Sequence, residues 1–312
     1  MFLKLTLHPE GPFHTPLQGD TFWGHLVWAW CFLAGEDAVA PFLESQEREP
    51  WLISSAFPAG YLPRPHLPLP SLKGINIENV KDLKRVIYLP AARLLESCRS
   101  LSGETLLQDL LIPAVNTQAK DGSTPGVVRR QLKRHTAIDR EKGGALEHQL
   151  FEDWDEYLDG DQEVYVSIPD QDHEKFLDCL DYIIETGYGA DRSTGSGRFS
   201  CDRQKDILAV DNIFCPDSAN AWMSLSPFIP EPGFQLKGWY TMLTKWGRLG
   251  EPAAMGIPAF KKPLLMLNPG AVFLEAEPAR HGQLVTGVHS HDERIRHYGF
   301  ALPLPLVWKG VA

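Results

Sequence analysis

Between Gly187 and Phe199 the chain reads Gly-Tyr-Gly-Ala-Asp-Arg-Ser-Thr-Gly-Ser-Gly-Arg-Phe, and these residue types suit anion binding. Gly187, Gly189, Gly195 and Gly197 let the main chain take conformations closed to residues with a Cβ, which predicts amide N–H groups free for an anionic ligand. Ser193, Thr194 and Ser196 add hydroxyls, and Arg192 and Arg198 add fixed positive charge. Neither familiar phosphate loop fits. A dinucleotide fingerprint needs a third glycine where Arg192 stands, and a Walker A loop needs a Gly-Lys pair that the stretch lacks. Both of those motifs also pass from strand to helix, whereas here a helix comes first. A flexible loop that merely leaves a helix is the plain alternative.

A second stretch with chemical potential runs from Arg129 to Lys142. Arg129, Arg130, Lys133, Arg134, Arg140 and Lys142 stand there against Asp139 and Glu141, in a chain whose net charge is −10. Cations guard the edge of a solvated strand or hairpin well. They also suit a phosphate-tracking surface, which is preferred because the bias opposes the overall charge. The net charge itself disfavours polyanions, so any nucleic-acid contact must come from such a local surface.

The histidines supply rival chemistry. His14, His25, His135 and His148 are candidates for general acid–base work in a metal-independent endoribonuclease, although none stands in a recognisable constellation. His25 lies on an apolar helix and is expected to be packed and hydrogen-bonded. His289, His291 and Asp292 have a spacing that could ligate a metal, but such triplets also occur in exposed turns. The expectation is no metal and no cofactor.

The elements that must position these residues can be read by period. Leu3, Leu5 and Leu7 alternate with Lys4, Thr6 and His8, predicting a half-buried strand that ends at Pro9. Asp20 is expected to cap a helix through Leu33 that Gly35 closes, apolar nearly all round and so buried. Residues 54–72 are too proline-rich for regular structure. Helices are expected around Val80–Val86 and over Ala91–Leu111 with a break at Gly103, a turn at Gly143-Gly144, and a strand at Val164–Ile168. Phe176, Leu177, Leu180, Ile183 and Ile184 form one helical stripe, with Gly187 at its C-cap. A strand follows at Ile207–Val210. Beyond a boundary within Asp211–Asn220, strands are expected at Tyr240–Arg248, Phe260–Leu267, Ala271–Glu275, Gln283–Val288 and in the segment ending Tyr298–Leu304.

At 312 residues the chain can hold two domains, here taken as 1–210 and 211–312. With a long insertion set aside, the first follows a ferredoxin-like β-α-β-β-α-β order. The class is α+β. Cys31, Cys98, Cys179, Cys201 and Cys215 are odd in number and never in a C-x-x-C pair, which suggests a reducing cytoplasm without disulfides. No apolar run approaches a membrane span.

These features resemble the RAMP superfamily of CRISPR effector complexes, whose signature is a glycine-rich loop after the second helix of a ferredoxin-like domain. Gly19-Asp20-Thr21-Phe22-Trp23-Gly24, Pro50 to Pro58, Leu62-Pro63-Arg64-Pro65 and His135 to Arg140 resemble the type III-A (Csm) subunit that caps the guide RNA. Thr244-Lys245-Trp246-Gly247-Arg248, Phe260-Lys261-Lys262-Pro263 and Arg296-His297-Tyr298-Gly299 do so as well. The resemblance implies two ferredoxin-like (RRM-like) domains and no nuclease activity. It implies a hold on the crRNA 5′ handle and contacts with the large polymerase-palm subunit and an adjacent backbone RAMP subunit. Carried over, Gly195, Ser196, Gly197 and Arg198 would lie closest to the handle, with Gly187, Gly189, Arg192, Ser193, Thr194, Arg134, His135, Arg140, Lys245 and Arg248 along the same path. The family often has Asn where His135 stands. Among nearby aromatics, Phe199 and Trp246 are expected in the core, whereas Tyr188 could stack on a base.

Overall fold

The computed structural model describes residues 1–72, 77–121, 129–138, 145–210, 218–250, 258–274 and 282–311. The expected turn at Gly143-Gly144, Arg140, Cys215 and most of the expected boundary segment lie outside these residues.

The first sheet is antiparallel, with the strands Ile207–Ala209, Phe2–Pro9, Gln162–Ser167 and Leu52–Ile53 side by side. Counted along the chain this is the order 4-1-3-2 of a β-α-β-β-α-β unit. Leu3 faces Val166 and Leu5 faces Val164 across the central pair. Leu3, Leu5 and Leu7 are buried against the helices Gly19–Ala34 and His173–Thr186, as strand alternation requires. The opposite face is covered too: Phe2 and Tyr165 pack into a second core. Coverage on both sides explains why Gln162 to Val166 are all buried.

The second sheet places Gly238–Trp239, Val272–Phe273, Ala221–Ser224 and Pro303–Leu306 side by side, all antiparallel. Its strands repeat the 4-1-3-2 order, but its described crossovers contain no α-helix. Helices come instead from the insertion. Leu94, Leu101, Leu106 and Leu110 pack on Met223, Leu304 and Leu306, while Trp222 turns to the other face with Phe228 and Phe273. In turn, Leu284, Tyr298 and Phe300 join the first core. The two cores therefore cut across the expected division at 210/211.

Other expectations are adjusted. The helix expected at Ala91–Leu111 is Ala91–Ser97, followed by a helical run that starts at Gly103, widens into a π turn at Leu106–Leu111 and continues to Asp121. Ser102 caps this run by accepting from the Thr105 amide. Asp20 is not a cap; Gln18 occupies that position, and Asp20 lies inside the first turn. The same helix is not buried all round, because Phe32 and Leu33 are 44% and 50% exposed. Among the described residues no helix is long and apolar enough to cross a membrane. Cys31, Cys98, Cys179 and Cys201 are free thiols.

Candidate nucleic-acid interface

Gly187 (φ 86°) ends the helix His173–Thr186, and its amide donates to Ile183 O. The loop then folds on itself and on the segment 12–18. Tyr188 N donates to Gly197 O, Gly197 N to Pro12 O, and Gly189 N to His25 Nε2 at 3.1 Å. Ala190 N donates to Thr15 Oγ1 at 3.0 Å, and the amides of Thr194, Gly195 and Ser196 close a short turn over Arg192–Thr194. These internal bonds overturn the expectation that the glycines free their amides for an anion.

What the glycines provide is close approach. A Cβ on Gly197 would sit 1.7 Å from Tyr188 O, and one on Gly189 would sit 2.6 Å from Thr15 Cβ. One on Gly187 would press on Arg192 Cβ at 3.1 Å, whereas Gly195 has open space around it. Ser196 and Gly197 are buried, so the part of the loop able to meet a ligand is its tip: Ala190, Asp191, Ser193, Thr194 and Arg198, with half-buried Gly195 and Arg192 beside it. Tyr188 is a core residue, 1% exposed, with its hydroxyl donating to Pro16 O. Phe199 is buried as expected.

The basic stretch forms one arm of a long hairpin, Arg129–Ile138 against Ala145–Tyr157. Its partner strand is acidic, which reading 129–142 alone did not reveal. Arg130 pairs with Glu156 at 2.8 Å, and Arg134 with Glu152 at 3.0 Å. Both arginines are well exposed, and surface pairs of this kind contribute at most about 1 kcal/mol. The strand at His135 is part of this hairpin, while Arg140 lies outside the described residues. Phe13 bridges to Glu156 in the base of the hairpin. Segment 12–18 thereby brings the two stretches singled out by their chemistry against the same support.

Lys245 behaves differently. Its ammonium donates to Gln18 Oε1 at 2.6 Å and Thr21 Oγ1 at 3.0 Å and pairs with Asp20 Oδ2 at 2.9 Å, so it is held inside rather than offered to a ligand. Asp20 also lies 3.6 Å from His297 Nε2, and Lys261 nearby donates to Arg296 O. Four separated motifs, around residues 20, 245, 261 and 297, thus converge on one buried carboxylate. Burial pushes the Lys261 ammonium down to about 8. Next to this cluster, Arg248 lies over the Phe260 ring and is exposed. Trp246 is 65% exposed, contrary to its expected place in the core, because it continues the outward face of the strand Met242–Lys245.

The structure adds a feature that the sequence reading passed over. A cleft of about 650 Å³ runs beside segment 16–18, with Arg64, His66, Lys84 and Tyr88 in its lining. Burial lowers the Arg64 and His66 values. A lone arginine inside the proline-rich segment was the available signal. By contrast, His289 is structural: its Nδ1 accepts from the amides of His291 and Asp292, and its Nε2 faces Pro258 O at 2.7 Å. Asp292 is held by Arg294 at 2.7 Å, which brings its carboxyl down to about 2.

A half-buried and a buried histidine make a pH prediction. Burial lowers His25 to about 4, assisted by Arg192, and lowers His297 to about 4, assisted by Lys261. Between pH 6.5 and about 4 the unfolded chain binds protons that the folded chain refuses. The stabilisation is therefore complete above pH 6.5 and is lost as pH falls, by up to about 1.4 kcal/mol per unit for each histidine. Urea unfolding at pH 7.5, 6 and 5 should follow that slope, and His25→Gln should make it shallower.

No protein-family model matches the chain, and no curated protein does. Solved structures do match over nearly its full length. A chain of a Csm3–Csm4 subcomplex of the type III-A CRISPR–Cas interference complex aligns with TM-score 0.63 at 14% identity, covering 98% of this chain and 99% of that one. A chain of a Csm1–Csm4 cassette in complex with cA4 aligns with TM-score 0.59 at 16% identity, and a chain of the cassette with cA3 with TM-score 0.57 at 17%. Each of these covers 98% of both chains. The fold of this protein is the fold of those chains.

Proposed function

We propose that this protein is the RAMP subunit of a type III-A CRISPR ribonucleoprotein that holds the crRNA 5′ handle, occupying the place of Csm4, the component common to those three structures. The end-to-end fold match carries the reading, since both sheets, the insertion and the glycine loop fall within one alignment. RNA is held by the exposed tip residues Ser193, Thr194 and Arg198 and by Arg130 and Arg134 on the hairpin, with phosphates on guanidinium groups and hydroxyls rather than on the internally bonded amides. Arg248, exposed over the Phe260 ring, is a further candidate for a phosphate contact, while Lys245 acts by fixing the fold beside it.

Docking of the large polymerase-palm subunit and of a neighbouring RAMP subunit is supported by large apolar side chains exposed together on one face. Met242, Trp246, Phe260 and Leu265 are all more than half exposed on and beside one two-stranded sheet. Such a face is characteristic of a protein that works in an assembly.

The subunit is non-catalytic in this reading. His25, on which an endoribonuclease mechanism would draw, accepts the Gly189 amide and is neutral above about pH 4, which supports a packing role. Incubation with repeat RNA should leave the RNA intact. In filter binding with a 5′-handle RNA, Arg198→Ala should weaken affinity by about 3- to 10-fold. Arg134→Glu should weaken it more, with a shallower dependence on salt, because phosphate contacts release counterions. Specific cleavage, or affinity unchanged in both variants, would overturn the reading.

A further inference from the structure

We infer that His14, Asp153 and Asp191 form a divalent-cation site that clips the glycine loop to the base of the hairpin. The three residues come from three separate parts of the chain. His14 belongs to the segment supporting both elements, Asp153 to the acidic strand of the hairpin, and Asp191 to the loop. His14 Nε2 lies 3.2 Å from Asp153 Oδ2 and 3.0 Å from Asp191 Oδ2, and the three donor atoms fall within 4.8 Å of one another. Donors set about 2.0–2.2 Å from a shared ion at tetrahedral or octahedral angles are themselves roughly 3.0–3.5 Å apart.

The second observation concerns the imidazole. The His14 side chain is only 5% exposed, yet neither ring nitrogen makes a hydrogen bond, and neither does Asp155 Oδ1. Carboxylate oxygens stand 3.0–3.2 Å from both ring nitrogens without completing a hydrogen bond, which leaves costly unsatisfied polar atoms pointing into the acidic cluster. Asp155 Oδ1 lies 3.1 Å from Nδ1, on the side of the ring away from Asp153 and Asp191. From that position a small rotation of the ring or the carboxylate would let Asp155 accept from Nδ1–H, which leaves Nε2 to coordinate. Three carboxylates around one imidazole, with Lys133 at 3.8 Å from Asp155, leave the cluster negative. Asp153 and Asp191 are about half exposed, so an ion can enter from solvent.

One imidazole with carboxylates suits Zn²⁺ or Mn²⁺ better than Mg²⁺. The ion would neutralise the acidic junction between the two basic stretches and hold them in fixed relation. This inference stands on side-chain geometry and does not depend on RNA binding.

The test is calorimetric titration of the chelator-treated full chain with ZnCl₂ and MnCl₂, with MgCl₂ as comparison. The expected result is one ion per chain for Zn²⁺ or Mn²⁺ and a rise in the unfolding midpoint of about 2–4 °C on saturation. Asp191→Asn and His14→Ala should each weaken binding at least 10-fold, whereas Ser193→Ala should leave it unchanged. Should His14→Ala fail to fold, Asp191→Asn, whose carboxylate is half exposed, carries the test. Absence of binding to the unsubstituted protein, or undiminished binding in Asp191→Asn, would overturn the inference.

Discussion

Gly197→Ala is expected to cost about 3–5 kcal/mol of folding stability, far more than a glycine-to-alanine change in an ordinary loop. Two causes act together. The backbone at Gly197 has φ 69°, which costs a residue with a Cβ about 1–2 kcal/mol. The added atom would also meet Tyr188 O at 1.7 Å, and that carbonyl belongs to a residue pinned by its own amide and hydroxyl. Relief requires separating Gly197 from Tyr188 and Pro12, which undoes the loop. Gly195→Ala supplies the contrast. Its φ is 96°, but nothing lies within 4 Å of the added atom, so only the backbone cost of about 1–2 kcal/mol remains. Urea denaturation of both variants measures the gap directly. Similar losses in the two would mean that close packing is not the reason for Gly197.

Asp20→Ala should be comparably severe, at about 3–5 kcal/mol. The carboxylate is 1% exposed and faces Lys245, with Lys261 and His297 close by, so its removal strands positive charge inside the protein. Removing both charges is a different matter. Asp20→Leu combined with Lys245→Met should recover most of the loss, since an ion pair replaced by apolar groups of similar volume is often neutral. A double variant no better than Asp20→Ala alone would show that the charge pair is not what Asp20 serves. The same comparison separates a structural Lys245 from an RNA-binding one. Lys245→Met should lower stability strongly, and in whatever fraction remains folded it should change RNA affinity little.

Elements with a strong period were legible from the sequence. Alternation at Leu3, Leu5 and Leu7 marked the first strand, and the stripe from Phe176 to Ile184 marked the helix before the glycine loop. Their order was enough to anticipate the first sheet. Short strands such as Ala221–Ser224 and Gly238–Trp239 carry too few residues to show a period, so the second sheet was only partly visible. Partners distant along the chain were not legible at all. Lys245 and Asp20 are 225 residues apart, and nothing local marks Lys245 as buried. Glycine content announced an unusual main chain in the loop but not its cause, because the carbonyl that excludes a Cβ at Gly197 and the Pro12 carbonyl that takes its amide are set by folding. The cations of the hairpin looked unopposed until the register placed Glu152 and Glu156 across from them.

The most direct measurement is ultraviolet crosslinking of the purified protein to a guide RNA carrying its repeat-derived 5′ end, with the crosslinked residues read by mass spectrometry. Crosslinks should fall at Ser193, Thr194 and Arg198 and along Arg129–Thr136, and they should disappear when the handle is removed from the RNA. Crosslinks confined to other surfaces, or unchanged for an RNA without the handle, would contradict a handle-binding role.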